Sequence, residues 1–231
     1  MKIFQAGCFL LCLVGPILAA QADPGYEQTP LPSGPFINRV PSYSAWRITF
    51  TYKSFAKGGN EVQAKDLAPT LPQSVEVTRT GPLWHAELTD VSGRKTDSWC
   101  GEDIPYIKGP GMSSPVREDP SNRLAFDLPP LLNYLGNHDF PDVNWVSART
   151  YLGTEKGSKY WVFQKHEKGP TVWVDSGTRY PVRWQQENET RIFTFLPTPT
   201  ENIIFPPDVA RMMEERAHFN RMVNTRPAPG S

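Results

Sequence analysis

A thiol, four imidazoles and three adjacent acidic pairs are the side chains of this sequence that could do covalent or acid–base chemistry. The thiol is Cys100, in Asp97-Ser98-Trp99-Cys100-Gly101-Glu102-Asp103. A nucleophilic cysteine needs a base or cation that lowers its pKa, and the flanking acids act the other way. The local contexts of the known cysteine proteases are absent. The histidines are His85, His138, His166 and His218. No two have the i,i+4 spacing of a helical zinc site, and no Cys-x-x-Cys accompanies them. Alternation puts His85 and His166 on the polar side of expected strands, in solvent. His138, followed by Asp139 in an expected loop, is the other position where acid–base work could sit.

The acidic pairs are Glu102-Asp103, Glu118-Asp119 and Glu214-Glu215. Neighbours on a strand point to opposite faces, and on a helix they diverge by about 100°. None can form the facing carboxylates of a glycosidase. Lys108-Gly109-Pro110-Gly111 lacks the spacing of a phosphate-binding loop. Asn188-Glu189-Thr190 is a glycosylation sequon at an expected turn, usable only in a eukaryotic secretory host. An enzyme would have to bring Cys100 or His138 together with an acid in one cleft. The expectation is a non-catalytic protein with no cofactor and no metal site.

Residues 1–22 carry one Lys, an apolar run and Ala20-Gln21-Ala22, the pattern of a secretory signal peptide cut before Asp23. The expected location is therefore secreted or periplasmic, in the cell envelope, with no transmembrane segment after cleavage. Cys8 and Cys12 leave with the signal, so Cys100 has no intramolecular disulfide partner. Lys and Arg total 24 and Asp and Glu total 24. That balance gives no pull toward nucleic acid. The 24 prolines favour short strands joined by stiff loops over long helices.

Residues 23–43 are Pro-rich and aperiodic, a linker or a strap. In 46–53, Trp46, Ile48, Phe50 and Tyr52 alternate with polar residues, the signature of a half-buried strand. Residues 56–73 read as a loop. Strands at 74–80 and 83–90 flank Gly81-Pro82 as a hairpin, and a third follows near 94–100. Residues 109–120 read as an exposed loop. Residues 128–135 suit a short helix begun by Asp127 and ended by Gly136. Strands at 143–152 and 160–166 open a meander that runs to Pro207. From Asp208, expected as the N-cap, a helix reaches 223 with Val209, Met212, Met213, Phe219 and Val223 on one face.

Within that meander stand Thr171-Val172-Trp173-Val174-Asp175, then Thr178, Pro181-Val182-Arg183, Ile192-Phe193-Thr194-Phe195 and Phe205-Pro206-Pro207. This series resembles the LolA/LolB-like superfamily of bacterial envelope lipoprotein carriers and sorting proteins. The resemblance covers about residues 160–207. It implies an incomplete antiparallel half-barrel with helices plugging its open side, an acyl chain or other apolar ligand inside, and no catalytic site.

Together these readings give an α+β protein: a curved antiparallel half-barrel over 44–207, of roughly eight to eleven strands. A covering short helix and a C-terminal helix and tail (208–231) act as lids. The expected partner is a hydrophobic ligand, a lipid, acyl chain or lipoprotein, held by Trp46, Phe50, Trp84, Trp173, Trp184 and Phe195. An envelope interaction module using 23–41 or the C-terminal helix is the alternative.

Overall fold

Alternating apolar residues set the architecture. The computed structural model describes residues 25–53, 55–57, 60–62, 71–101, 105–119 and 140–224. The expected signal segment, the 128–135 helix and His138 lie outside the described residues. The strands are β1 (Tyr26–Glu27), β2 (Tyr43–Tyr52), β3 (Phe55–Lys57), β4 (Asn60–Val62), β5 (Pro72–Thr80), β6 (Leu83–Asp90) and β7 (Lys95–Cys100). They continue with β8 (Tyr106–Lys108), β9 (Val116–Arg117), β10 (Tyr151–Glu155), β11 (Tyr160–Gln164), β12 (Thr171–Asp175), β13 (Pro181–Gln186) and β14 (Glu189–Leu196). Among the described residues one α-helix, α1 (Pro207–Asn224), follows.

Twelve strands form a single curved, open, antiparallel sheet in the order β1-β10-β11-β12-β13-β14-β2-β5-β6-β7-β8-β9. That exceeds the expected eight to eleven because two-residue strands cap both edges. β3 and β4 form a separate hairpin in the stretch expected to be a loop. β9 likewise interrupts the expected 109–120 loop by pairing with β8. The expected strand over 143–152 begins only at Tyr151. Before it, Pro141–Val143 and Ala148–Thr150 are 3-10 turns, the second closed by a Ser147–Thr150 capping box.

Side chains of paired residues share a face. One inner row runs Val116, Ile107, Ser98, Ala86, Val77, Trp46, Phe195. A second runs Tyr151, Phe163, Val172, Trp184, Arg191, Phe50. These rows carry the main core, in which Trp46 is 0% exposed. Among the described residues they are covered by Phe36, Ile37 and Val40 from the Pro-rich segment, and by Phe140, Val143, Trp145 and Val146. The Pro-rich segment is clipped to a hairpin turn, where the Asn38 N–H donates to Arg179 O at 2.9 Å and the Arg179 guanidinium to Pro35 O at 2.8 Å.

α1 corrects the expected lid. Val209, Met212 and Met213 pack on Trp99 and Tyr106, a cluster apart from the main core. Trp99 pairs with Tyr106 and with His85, so all three project from the outer face. Pro207 rather than Asp208 opens the helix, and Asp208 sits in its first turn beside Lys108 at 3.6 Å. The stripe also divides: Phe219 is 59% and Met222 55% exposed. An 18-residue helix is about 27 Å long. Its two aromatic anchors lie on strands only about 4.8 Å apart, so its later turns pass beyond them.

The face assignment gives a stability contrast. Trp46→Ala is expected to lower the unfolding free energy by about 3–5 kcal/mol. Ile192→Ala, on the outer face of β14, is expected to cost about 1 kcal/mol or less. Urea denaturation of both variants measures this, and equal losses would contradict the assignment.

Candidate functional site

Of the six residues expected to line a cavity, four lie together under the inner cover: Trp46, Phe50, Trp84 and Trp184. The Trp46 and Trp84 rings meet edge to face at 6.0 Å. Phe195 shares the inner face but stands at its rim, 36% exposed, stacked on Tyr180 at 4.6 Å. Trp173 does not join them. It pairs with Arg183 and Val162 on the outer face, where the Arg183 guanidinium lies 3.7 Å above its ring. The apolar run Val172-Trp173-Val174 fits either face, so alternation alone does not choose between them.

Sequence reasoning missed Phe140, the centre of the inner cover. Its ring lies 5.9 Å from Trp46, 5.9 Å from Phe193, 6.1 Å from Phe195 and 6.4 Å from Tyr180. The only sequence signal was a Phe before Pro141, an unremarkable pair. Arg191, also missed, ties this segment to the sheet. It sits 4.2 Å over the Trp184 ring, bonds Glu189 at 2.5 Å and forms an ion pair with Asp142. The indole N–H groups of Trp46 and Trp184 are buried and find no acceptor among the described residues. The two indoles lie in different rows of the inner face, Trp184 level with Phe50 and Trp46 level with Phe195.

The Trp–Asp hairpin proves to be a built turn. Asp175 Oδ1 accepts the Gly177 and Thr178 N–H groups, both at 2.9 Å, and Oδ2 pairs with Lys159 at 2.7 Å. Arg179 adopts φ 58°, rare for a side-chain-bearing residue, and donates its N–H to Asp175 O at 2.7 Å. Pro181, fully buried, starts β13. Burial pushes the Asp175 carboxyl up, but bonds from Lys159, Thr178 and Gly177 outweigh it and hold it below the ordinary 3.8. In Asp90 burial is likewise overcome by Ser92 and Arg94.

Among the described residues, Cys100 and His85 lie on opposite faces, and His138 lies outside them. Cys100 is buried in the inner core, opposite Trp84. His85 projects from the outer face, half-buried rather than free in solvent, bonded to Asp97 at 2.8 Å and stacked on Trp99 at 5.4 Å. A cysteine and a histidine on opposite faces cannot share a proton. Among the described residues no group of three His, Cys, Asp or Glu is placed to hold a metal ion, and no helix is long and apolar enough to cross a membrane.

No family model matches the chain, and no curated protein matches it. Among solved structures it is similar to the crystal structure of a LolA superfamily protein, NE2245, from Nitrosomonas europaea. The two are 12% identical over 72% of this chain and 90% of that one, with a TM-score of 0.31. The functional reading therefore rests on the geometry above.

Asp175 makes acid stability testable. A carboxyl with a lowered folded pKa stabilises fully above its ordinary 3.8, and that stabilisation is lost as pH falls through the folded value. Asp175→Asn is expected to cost about 1–3 kcal/mol at neutral pH. The variant's stability should then fall less steeply between about pH 5 and pH 2. Parallel curves in thermal melts would refute the role given to this carboxylate.

Proposed function

We propose that this is a non-catalytic envelope protein, secreted or periplasmic, that takes an apolar ligand such as an acyl chain against the inner face of its sheet. A carrier-like role follows, with lipid or lipoprotein acyl chains as the ligand class. The observation that carries the reading is Phe140. It is one apolar side chain, from irregular chain, seated in a box of four aromatic rings. A ligand would replace it there. The unpaired Trp46 and Trp184 N–H groups offer donors for the ligand's carbonyl or carboxylate oxygens. Each methylene removed from water contributes ~0.8 kcal/mol, so a long acyl chain can supply useful affinity.

A second reading draws on α1. The exposed Phe219 and Met222 are three residues apart and so share one side of the helix. That stripe suits an envelope interaction module, and a Phe219→Ser/Met222→Ser variant that loses a co-purifying envelope protein while keeping lipid would favour it.

The first reading is tested by titrating a fluorescent fatty-acid probe. Wild type should bind saturably, and Phe140→Ala should bind about a hundred-fold or more tighter because the competing ring is gone. Trp173→Ala, on the other face, should leave the affinity unchanged. Absence of saturable binding by both wild type and Phe140→Ala would overturn it.

A further inference from the structure

The outer face at the other end of the sheet from α1 carries a different surface. Gln164, Thr171 and Gln185 pair side by side across β11, β12 and β13, so their polar side chains form a row. The next row along the strands is Val162, Trp173 and Arg183. A wall stands at one end of these rows, where β1 lies along β10. Gly153 permits it: at φ 143° its position would put a Cβ 2.0 Å from Glu27 O. At the other end is the β13–β14 turn, where Glu187 adopts φ 38°. The result is an open groove of about 380 Å³ with Trp173, Thr171, Gln164, Gln185 and Gln186 along it. Ligand pockets start at about 300 Å³, so this one suits a small molecule or a short end of a longer one.

Of the groove's two carboxylates, Glu155 and Glu187, the first is already paired with a cation. Arg183 bonds Glu155 at 2.5 Å while covering Trp173. The Arg183 stack and ion pair hold the indole in one orientation. An anionic ligand would meet Glu155 and Glu187. A purely apolar ligand would bury the Gln164 and Gln185 amides without partners, an unfavourable exchange. A ligand with an apolar face and many neutral hydroxyls meets neither penalty. Its C–H face can lie along the part of Trp173 that Arg183 leaves open to the groove, while each amide both donates to and accepts from a hydroxyl.

We propose that this outer groove binds a neutral saccharide, a mono- or disaccharide unit of a free sugar or a polymer end, with Trp173 as platform and Gln164, Thr171 and Gln185 as hydroxyl partners. The site is separate from the apolar inner face and does not depend on its function.

The test uses the whole mature chain, with maltose, cellobiose and N,N′-diacetylchitobiose as neutral probes and inorganic phosphate and dodecanoate as comparators. Calorimetry gives affinities, and the tryptophan indole N–H resonances locate each ligand. At least one neutral disaccharide should bind and shift the Trp173 resonance while leaving those of Trp46 and Trp184 in place. Gln185→Ala should weaken it about five-fold, the equivalent of one hydrogen bond of about 1 kcal/mol. Trp173→Ala should weaken it more, and Trp173→Phe should retain most of the affinity. Phe140→Ala should have no effect on sugar binding, so this result and the inner-face result fail or succeed separately. If Trp173→Ala does not fold, Gln185→Ala and the resonance map decide alone. Failure of all three disaccharides to bind overturns the proposal. So does binding that moves Trp46 or Trp184 instead, or a Trp173 signal that responds only to phosphate or dodecanoate.

Discussion

The pairing of β14 with β2 is the contact on which the rest of this structure depends. It joins Glu189↔Tyr52 through Leu196↔Ala45 without a break in register. On one side lies the meander from β10 to β14, and on the other the strands from β5 to β9. Without this seam each half would end in an exposed edge, a template for wrong pairing. Both inner rows cross it. Ile48 pairs with Phe193 on one side and Val75 on the other, and Trp46 stands between Phe195 and Val77. A shift of one residue would turn every one of these side chains to the outer face. The ends of the chain must therefore meet before either half has a complete core, which makes the fold rich in long-range contacts and slow to form.

What the sequence disclosed follows from that division between local and distant contacts. Alternation in β2, β5 and β6 is a property of adjacent residues, and the expected strands and the Gly81-Pro82 turn match the structure. The Trp–Asp hairpin was legible for the same reason, since Asp175 satisfies N–H groups two and three residues away. The insertion of β2 between β14 and β5 has no local signature. The face of Trp173 was hidden because both parities of β12 are apolar, and the ladder shifts between Trp173 and Val174. The apolar stripe of α1 was visible, but not the location of its anchors. Trp99 looked like one more core aromatic, yet its parity in β7 sends it away from Ser98 and Cys100 and toward the helix.

The hairpin links stability to both candidate surfaces. Asp175 fixes the turn, and the same turn holds the Pro-rich strap through Arg179, so one buried carboxylate helps keep the inner cover in place. Two residues beyond Pro181, Arg183 clamps the outer face of Trp173 and neutralises Glu155. The spacing Trp-x-Asp, Thr-x-x-Pro-x-Arg thus describes a rigid turn with one ordered indole on its outer side. Its residues are selected by backbone geometry and stacking, with no reacting group among them.

The two faces differ in what a ligand must displace. The outer groove is open, and its polar row needs only to exchange water for hydroxyls. The inner face is covered, and the cover must move. Among the described residues, that cover is 3-10 turns and loop, held by side-chain packing rather than by strand ladders. Its main apolar anchor is Phe140, and taking a buried Phe out of its site costs about 3–5 kcal/mol. At ~0.8 kcal/mol per methylene, about four to six buried CH2 groups offset that loss. The Arg191–Asp142 pair is a smaller obstacle, because Asp142 is largely in solvent and Arg191 keeps Glu189 and the Trp184 ring when it parts. On the proposed function, a long acyl chain would exceed the threshold for opening and a small apolar molecule would not. The cover would then select for ligand length.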